Sequence, residues 1–295
     1  EYPESEWPKM EATLKAFGFI PPKMDLKKAL TGLLEDQVAG LYDPRGKVLY
    51  VNASPLEGAE LLEGLGMEGF SLQDVFLVHE LAHAVTDQHF RLLGLPIEDK
   101  ANEDRASAAR CVVEGDATWV MLQYMFKALQ VPPSQQGQMD DLMATLGLGR
   151  ELMGQTAPAY IQENLLVGYL GGLALVKAAY ARGGFPAVNA LYARPPASME
   201  QVLHPEKYFV GKDEPVRVEA VAPKAWGAAG FKEIGRGVWG EMNIRILLEE
   251  WGCGEADATR ASEGWGGDGY VAFRGPGEVL AYAWTTQWDS ERDAA

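Results

Sequence analysis

Five consecutive residues, His79-Glu80-Leu81-Ala82-His83, carry the strongest chemical signal in the chain. On a helix, side chains four positions apart lie on one face, about 6 Å from each other. Two imidazoles so placed can share a tetrahedral zinc ion, and the carboxylate of Glu80 can reach the water such a metal activates. A catalytic zinc takes three protein ligands, so a third must come from elsewhere. His89 stands six residues after His83, but the position where a glycine would turn the chain back is Thr86, a β-branched residue. With no breaker between Ala84 and Leu93, His89 is expected about 9 Å further along the axis and on another face. Glu114, in the string CVVEGDA, is the better ligand. It falls on a separate helix, with room for a turn between antiparallel neighbours, and Gly115 beside it would let the two helices approach closely.

The elements that must position these groups are legible from periodicity. The spacing predicts a helix over Ser71 to Gly94, opened by Ser71 and Asp74 in a capping-box-like pair and stopped by Gly94 and Pro96. Phe76, His79, His83 and Asp87 form one stripe, and most of the remaining circumference is apolar, the mark of a buried helix. A second helix is expected from about Asn102 to Leu129. Ahead of both, Val38–Tyr42 and Lys47–Val51 flank the turn sequence DPRG and read as a β-hairpin, whose edge could pair with an extended peptide. Residues 1–35 read as one or two short helices broken at Pro21-Pro22. Further helices are expected at about 138–153, 160–182, 185–194 and 238–251. Gly-rich GWGGD then precedes a hairpin made of Gly269–Phe273 and Val279–Trp288. The expected fold class is α+β and mainly helical. A small N-terminal sheet sits beside the HELAH helix, and a β-hairpin closes the chain. The expected organisation is a core over 1–205 with an α/β extension over 206–295 packed on it, or one continuous domain.

With 295 residues, 47% of them apolar, the chain can bury a substantial core. A net charge of −16 argues against nucleic acid and anionic membrane surfaces as partners, since both call for basic patches. The longest apolar run, Leu165–Val176, is shorter than a membrane span and reads as a buried helix, so no transmembrane segment is expected. The sequence opens at Glu1 without a methionine. A removed N-terminal segment and an exported location (secreted, periplasmic or membrane-tethered) are therefore expected ahead of a cytoplasmic one. Two cysteines, Cys111 and Cys253, make no disulfide framework. Oligomeric state is not encoded in any of these features.

HELAH followed by a glutamate on the next helix resembles the gluzincin zinc metallopeptidases, the broad thermolysin-like and aminopeptidase-like group. The wider strings HELAHAVTDQHF and VVEGDAT look like a bacterial branch of it. The resemblance is specific over 79–118 and thinner elsewhere. It implies that His79, His83 and Glu114 bind Zn2+, that Glu80 is general base and then acid, and that the AGLY strand (39–42) is the substrate-pairing edge. Tyr169-Leu-Gly-Gly172-Leu-Ala-Leu is similar to the Tyr-x-x-Gly-x-Ala-Leu helix that supplies an oxyanion-stabilising tyrosine in aminopeptidase-like members. His204 is the alternative electrophile, and a tyrosine that simply fills the core is the plainer reading of Tyr169. The thermolysin-like aspartate four residues after the glutamate ligand is Thr118 here, so Asp87 is expected to accept the hydrogen bond a metal-bound histidine needs. Gly66-Met67-Glu68-Gly69 lacks the asparagine of the aminopeptidase recognition motif and lies too close to His79, so endo- versus exopeptidase stays open. The implied activity is zinc-dependent hydrolysis of peptide or protein substrates. The alternative is a catalytically silent zinc- or peptide-binding protein on a peptidase scaffold.

Overall fold

The computed structural model describes residues 4–35, 40–52, 72–132, 134–137 and 157–295. The expected helix at 138–153, the Ser71 cap and the Gly66–Gly69 string lie outside these residues. The fold is α+β and mainly helical: among the described residues 58% are in helices, with two small antiparallel sheets.

In chain order the elements begin with α1 (Trp7–Phe17), α2 (Leu26–Glu35) and the hairpin β1 (Gly40–Asp43) and β2 (Val48–Val51). Three long helices follow: α3 (Leu72–Phe90), α4 (Glu103–Ala128) and α5 (Ala159–Ala193). The C-terminal third holds α6 (Met199–Leu203), α7 (Lys224–Ala228), β3 (Lys232–Gly237), α8 (Gly240–Glu250), α9 (Glu255–Ser262), β4 (Trp265–Arg274) and β5 (Leu280–Trp288).

Helix α4 starts where the sequence signals it. The Asn102 side chain accepts from Arg105 N at 2.9 Å, and Glu103 and Asp104 sit in the first turn, where acidic groups favour the helix dipole. Helix α5 joins the two expected helices, with non-helical backbone at Gly183 and Gly184 marking the break just before Pro186. By length and composition alone α5 could cross a membrane. Here its Leu175, Val176, Ala179, Val188 and Leu191 are fully buried and belong to the main core.

That core takes residues from both ends of the chain. Phe17 stacks on Tyr282 of β5 at 3.9 Å between ring centroids, and Trp239 stacks on Tyr270 of β4 at 4.2 Å. Ile246 and Leu247 of α8 and Trp265 of β4 join the same cluster as Leu175 and Val176 of α5. The C-terminal sheet runs β3-β4-β5, with Tyr270 opposite Trp284 and Gly237 opposite Tyr270. The expected final hairpin is therefore the larger part of a three-stranded sheet.

The GWGGDG string has a steric reason. The extended segment 216–220 runs across β4, with Val216 N donating to Gly266 O at 2.7 Å. A Cβ on Gly269 would lie only 3.1 Å from the Val218 carbonyl carbon, so β4 is glycine where the strap crosses it.

Two buried carboxylates organise this C-terminal region, and the second of them ties it to the start of α4. Asp268 accepts from Trp239 N, Gly240 N, Trp265 Nε1 and Trp284 Nε1, all at 2.9–3.1 Å. It thus caps α8 while holding two indoles. Asp104, fully buried, accepts from Met199 N at 3.1 Å, and burial raises its pKa well above the ordinary carboxylate range.

Candidate metal centre

Helix α3 brings His79 and His83 one turn apart on its inner face, both buried, and α4 packs alongside to deliver Glu114. His79 Nε2 and His83 Nε2 are 3.0 Å apart. Glu114 Oε2 lies 3.2 Å from His79 Nε2 and 3.4 Å from His83 Nε2. A tetrahedral ion with bonds of about 2.0–2.1 Å separates its ligand atoms by roughly 3.3–3.4 Å, so one ion fits this triangle. The chemistry of the donors agrees, with two imidazoles and one carboxylate, the mixed nitrogen and oxygen set that zinc accepts. Burial works against charge on His83, but Glu114 close by outweighs it and raises the imidazole pKa. Burial also raises the Glu114 pKa, yet the two histidines overcome that and hold it well below the usual range. Three electron-rich groups held this closely favour a cation among them.

Glu80, next to His79 but 100° around the helix, is oriented by the hairpin. Its Oε2 accepts the backbone N–H of Tyr42 at 2.7 Å, across β1, leaving the other oxygen without that tie. The charges of Glu80 and Glu114 both raise the pKa of Tyr169, so the three side chains share one electrostatic environment.

Tyr169 lies on α5 with its ring 5.7 Å from that of His79. Helix α5 comes this close because Gly115 of α4 meets Gly172. A Cβ on Gly115 would stand 2.7 Å from Gly172 Cα, and one on Gly172 would stand 3.0 Å from Gly115 N. Gly115 therefore serves the contact between α4 and α5, not the contact with α3 that the sequence suggested. Glu114, Gly168 and Tyr169 also line a pocket of about 180 Å³ with Ser107, Arg110, Asn164, Leu165 and Val167.

The structure keeps His204 apart from this pocket's lining. Its Nε2 is 2.8 Å from Glu241 Oε1 on α8, a buried carboxylate. His89 is exposed, with Nδ1 2.8 Å from Val85 O, and takes no part in the cluster.

Asp87 does not have the role expected of it. Its Oδ2 accepts from the Tyr42 hydroxyl at 2.7 Å and pairs with Lys47, while its Oδ1 accepts from Leu92 N at 2.9 Å. Both oxygens are spent on the hairpin and on the chain leaving α3. The Asp87 bond to Leu92 N accompanies a helix end at Phe90, followed by Arg91 at φ 53°, four residues earlier than Gly94. Among the described residues, His83 Nδ1 is left buried without a partner, as is Thr118 Oγ1. Asp116, whose charge acts on His83, is occupied by the Tyr192 hydroxyl at 2.8 Å.

Tyr42 is the site residue that the sequence did not single out. It carries the N–H that holds Glu80 and the hydroxyl that holds Asp87, with burial and Asp87 pushing that hydroxyl up to about 12. A tyrosine whose neighbours in sequence alternate across a short strand gives no sign of partners 38 and 45 residues away.

Among known families, one described as a domain of unknown function (DUF8575) matches residues 229–295, the C-terminal sheet with α8 and α9. No curated protein and no solved structure matches the chain significantly.

Proposed function

We propose that this chain is a zinc-dependent peptidase of gluzincin type, hydrolysing peptide bonds in peptide or protein substrates. The observation that carries the reading is the triangle of His79 Nε2, His83 Nε2 and Glu114 Oε2, 3.0–3.4 Å on each side, with Glu80 beside it. The three side chains would hold the ion, and a zinc ion held there supplies Lewis acidity that activates water and polarises a carbonyl at neutral pH.

The remaining work falls to this chain's own groups. Glu80 takes a proton from the attacking water on its free oxygen while Tyr42 N–H steadies the other. The water oxygen bonds to the carbonyl carbon, the C–N bond breaks, and Glu80 returns the proton to the leaving nitrogen. Tyr169, a phenol and so protonated at neutral pH, has its ring 5.7 Å from that of His79 and donates a hydrogen bond to the developing oxyanion.

Cleavage of casein and of a mixed peptide library by the zinc-loaded wild type and by Glu80→Gln tests the reading. Turnover in the wild type should fall by about 10²-fold or more in the variant, the range for a lost general base. Equal turnover in the two proteins would remove Glu80 from the mechanism. Stoichiometric zinc without turnover on any substrate would instead favour the silent binding protein.

A further inference from the structure

The pocket beside Glu114 contains a feature that hydrolysis does not require. Among the residues lining it, Arg110 is the cation. It stands four residues before Glu114 on α4, so the two side chains leave the same face of the helix about 6 Å apart along its axis. Its guanidinium is fixed in place by three hydrogen bonds: Nη1 to Ile97 O at 3.0 Å, and Nη2 to Glu103 Oε1 at 2.5 Å and Ser107 Oγ at 2.7 Å. A guanidinium has five N–H donors, so among the described residues Nε–H and one Nη1–H remain for a ligand. The side chain is 39% exposed.

The other polar groups of the pocket do not supply a positive charge: Glu114 is an acceptor, and the hydroxyls of Ser107 and Tyr169 are uncharged donors. Both amide hydrogens of Asn164 are committed, to Tyr160 O and to Asn243 Oδ1, each at 2.9 Å. Asn164 is left as an acceptor and cannot recognise an anion. Glu103 pairs with Nη2 and Glu114 lines the far side, so recognition would fall to the two N–H groups of Arg110 that remain, not to an excess of positive charge.

We propose that this pocket is a substrate subsite in which Arg110 recognises a carboxylate carried on the substrate near the scissile bond. The guanidinium leans towards the start of α4, where Ser107 and Glu103 hold it, while Glu114 marks the end of the pocket at the metal centre. The carboxylate is either the free C-terminus of the substrate or an acidic side chain. The inference rests on the peptidase reading of the neighbouring metal centre, but binding to the pocket can be measured without it.

The experiment compares matched peptides in two arms. One arm pairs a free C-terminal acid with its amide, and the other pairs glutamate with glutamine next to the cleaved bond. The zinc-loaded wild type should favour the carboxylate member by about tenfold or more in kcat/KM in one arm, as a charge-assisted hydrogen bond allows. The arm that responds identifies the source of the carboxylate. In Arg110→Met the ratio should fall to about one, and Arg110→Lys, which keeps the charge on a different donor geometry, should fall between. No preference in either arm, or a preference that survives in Arg110→Met, would overturn the proposal. Should the wild type cleave nothing, the same pairs are titrated by fluorescence anisotropy. Carboxylate-dependent binding lost in Arg110→Met would then uphold the subsite while the peptidase reading fails. Equal binding of both members would reject the subsite. If Arg110→Met does not fold, the wild-type ratio and Arg110→Lys decide by the same criteria.

Discussion

A tyrosine serves as an oxyanion donor only while its hydroxyl is protonated, the ordinary state of a phenol at neutral pH, and Tyr169 holds its ring 5.7 Å from that of His79. Tyr169→Phe removes that donor and leaves the ring beside His79. We expect kcat to fall by about 10²–10³-fold with KM nearly unchanged, the signature of an interaction made only in the transition state. A variant as active as the wild type would leave the ring a packing element of α5. His79, His83 and Glu80 can be read from the sequence because their relation is local, fixed by four residues of helix. Asp87 shows where such reading stops. It occupies the stripe expected of it, but Tyr42, Lys47 and Leu92 reach its carboxylate first, and two of these come from a hairpin some 40 residues earlier.

At the scale of elements, the cleft depends on how closely α4 and α5 pack. Gly115→Ala would place a methyl 2.7 Å from Gly172 Cα, in rigid backbone on both sides, so the helices must separate. The expected cost is about 1–3 kcal/mol of stability, measured by denaturant unfolding, with weakened zinc retention because Glu114 precedes the displaced residue. An unchanged midpoint would mean that α4 and α5 can shift without loss. The helices themselves follow from capping residues and breakers: Asn102 opens α4, and Gly183-Gly184 interrupts α5. Which face of a helix meets which neighbour does not follow. Gly115 serves α5, not α3, and Leu81 and Val85, expected inside, are 45% and 54% exposed on the outer face of α3.

For the molecule as a whole, the C-terminal region shares one core with the long helices, and His204 with Glu241 joins the two parts. Glu241 raises the His204 pKa against the opposing effect of burial, with Glu206 adding to the rise and Lys207 countering it. A raised folded-state pKa means that the stabilisation is complete below about 6.5, the ordinary histidine value, and is lost as pH rises through the folded value. The melting temperature of the wild type should therefore decline on that upward path. His204→Gln should decline less, and parallel curves for the two proteins would rule out this linkage. Strand β3 escaped the sequence reading for a physical reason. KEIGRG has two glycines, three charges and a solvent-facing pattern, so it lacks the apolar alternation that marks a half-buried strand. Its pairing with β4 is decided by tertiary contacts.

Everything proposed for the cleft depends on three side chains from two helices acting as one metal centre. Zinc content per chain, measured after exhaustive dialysis, tests this most directly. The wild type, Glu80→Gln and His89→Ala should each retain about one zinc ion, and Glu114→Ala should retain almost none. Zinc kept in full by Glu114→Ala, or lost from His89→Ala, would contradict the arrangement of His79, His83 and Glu114.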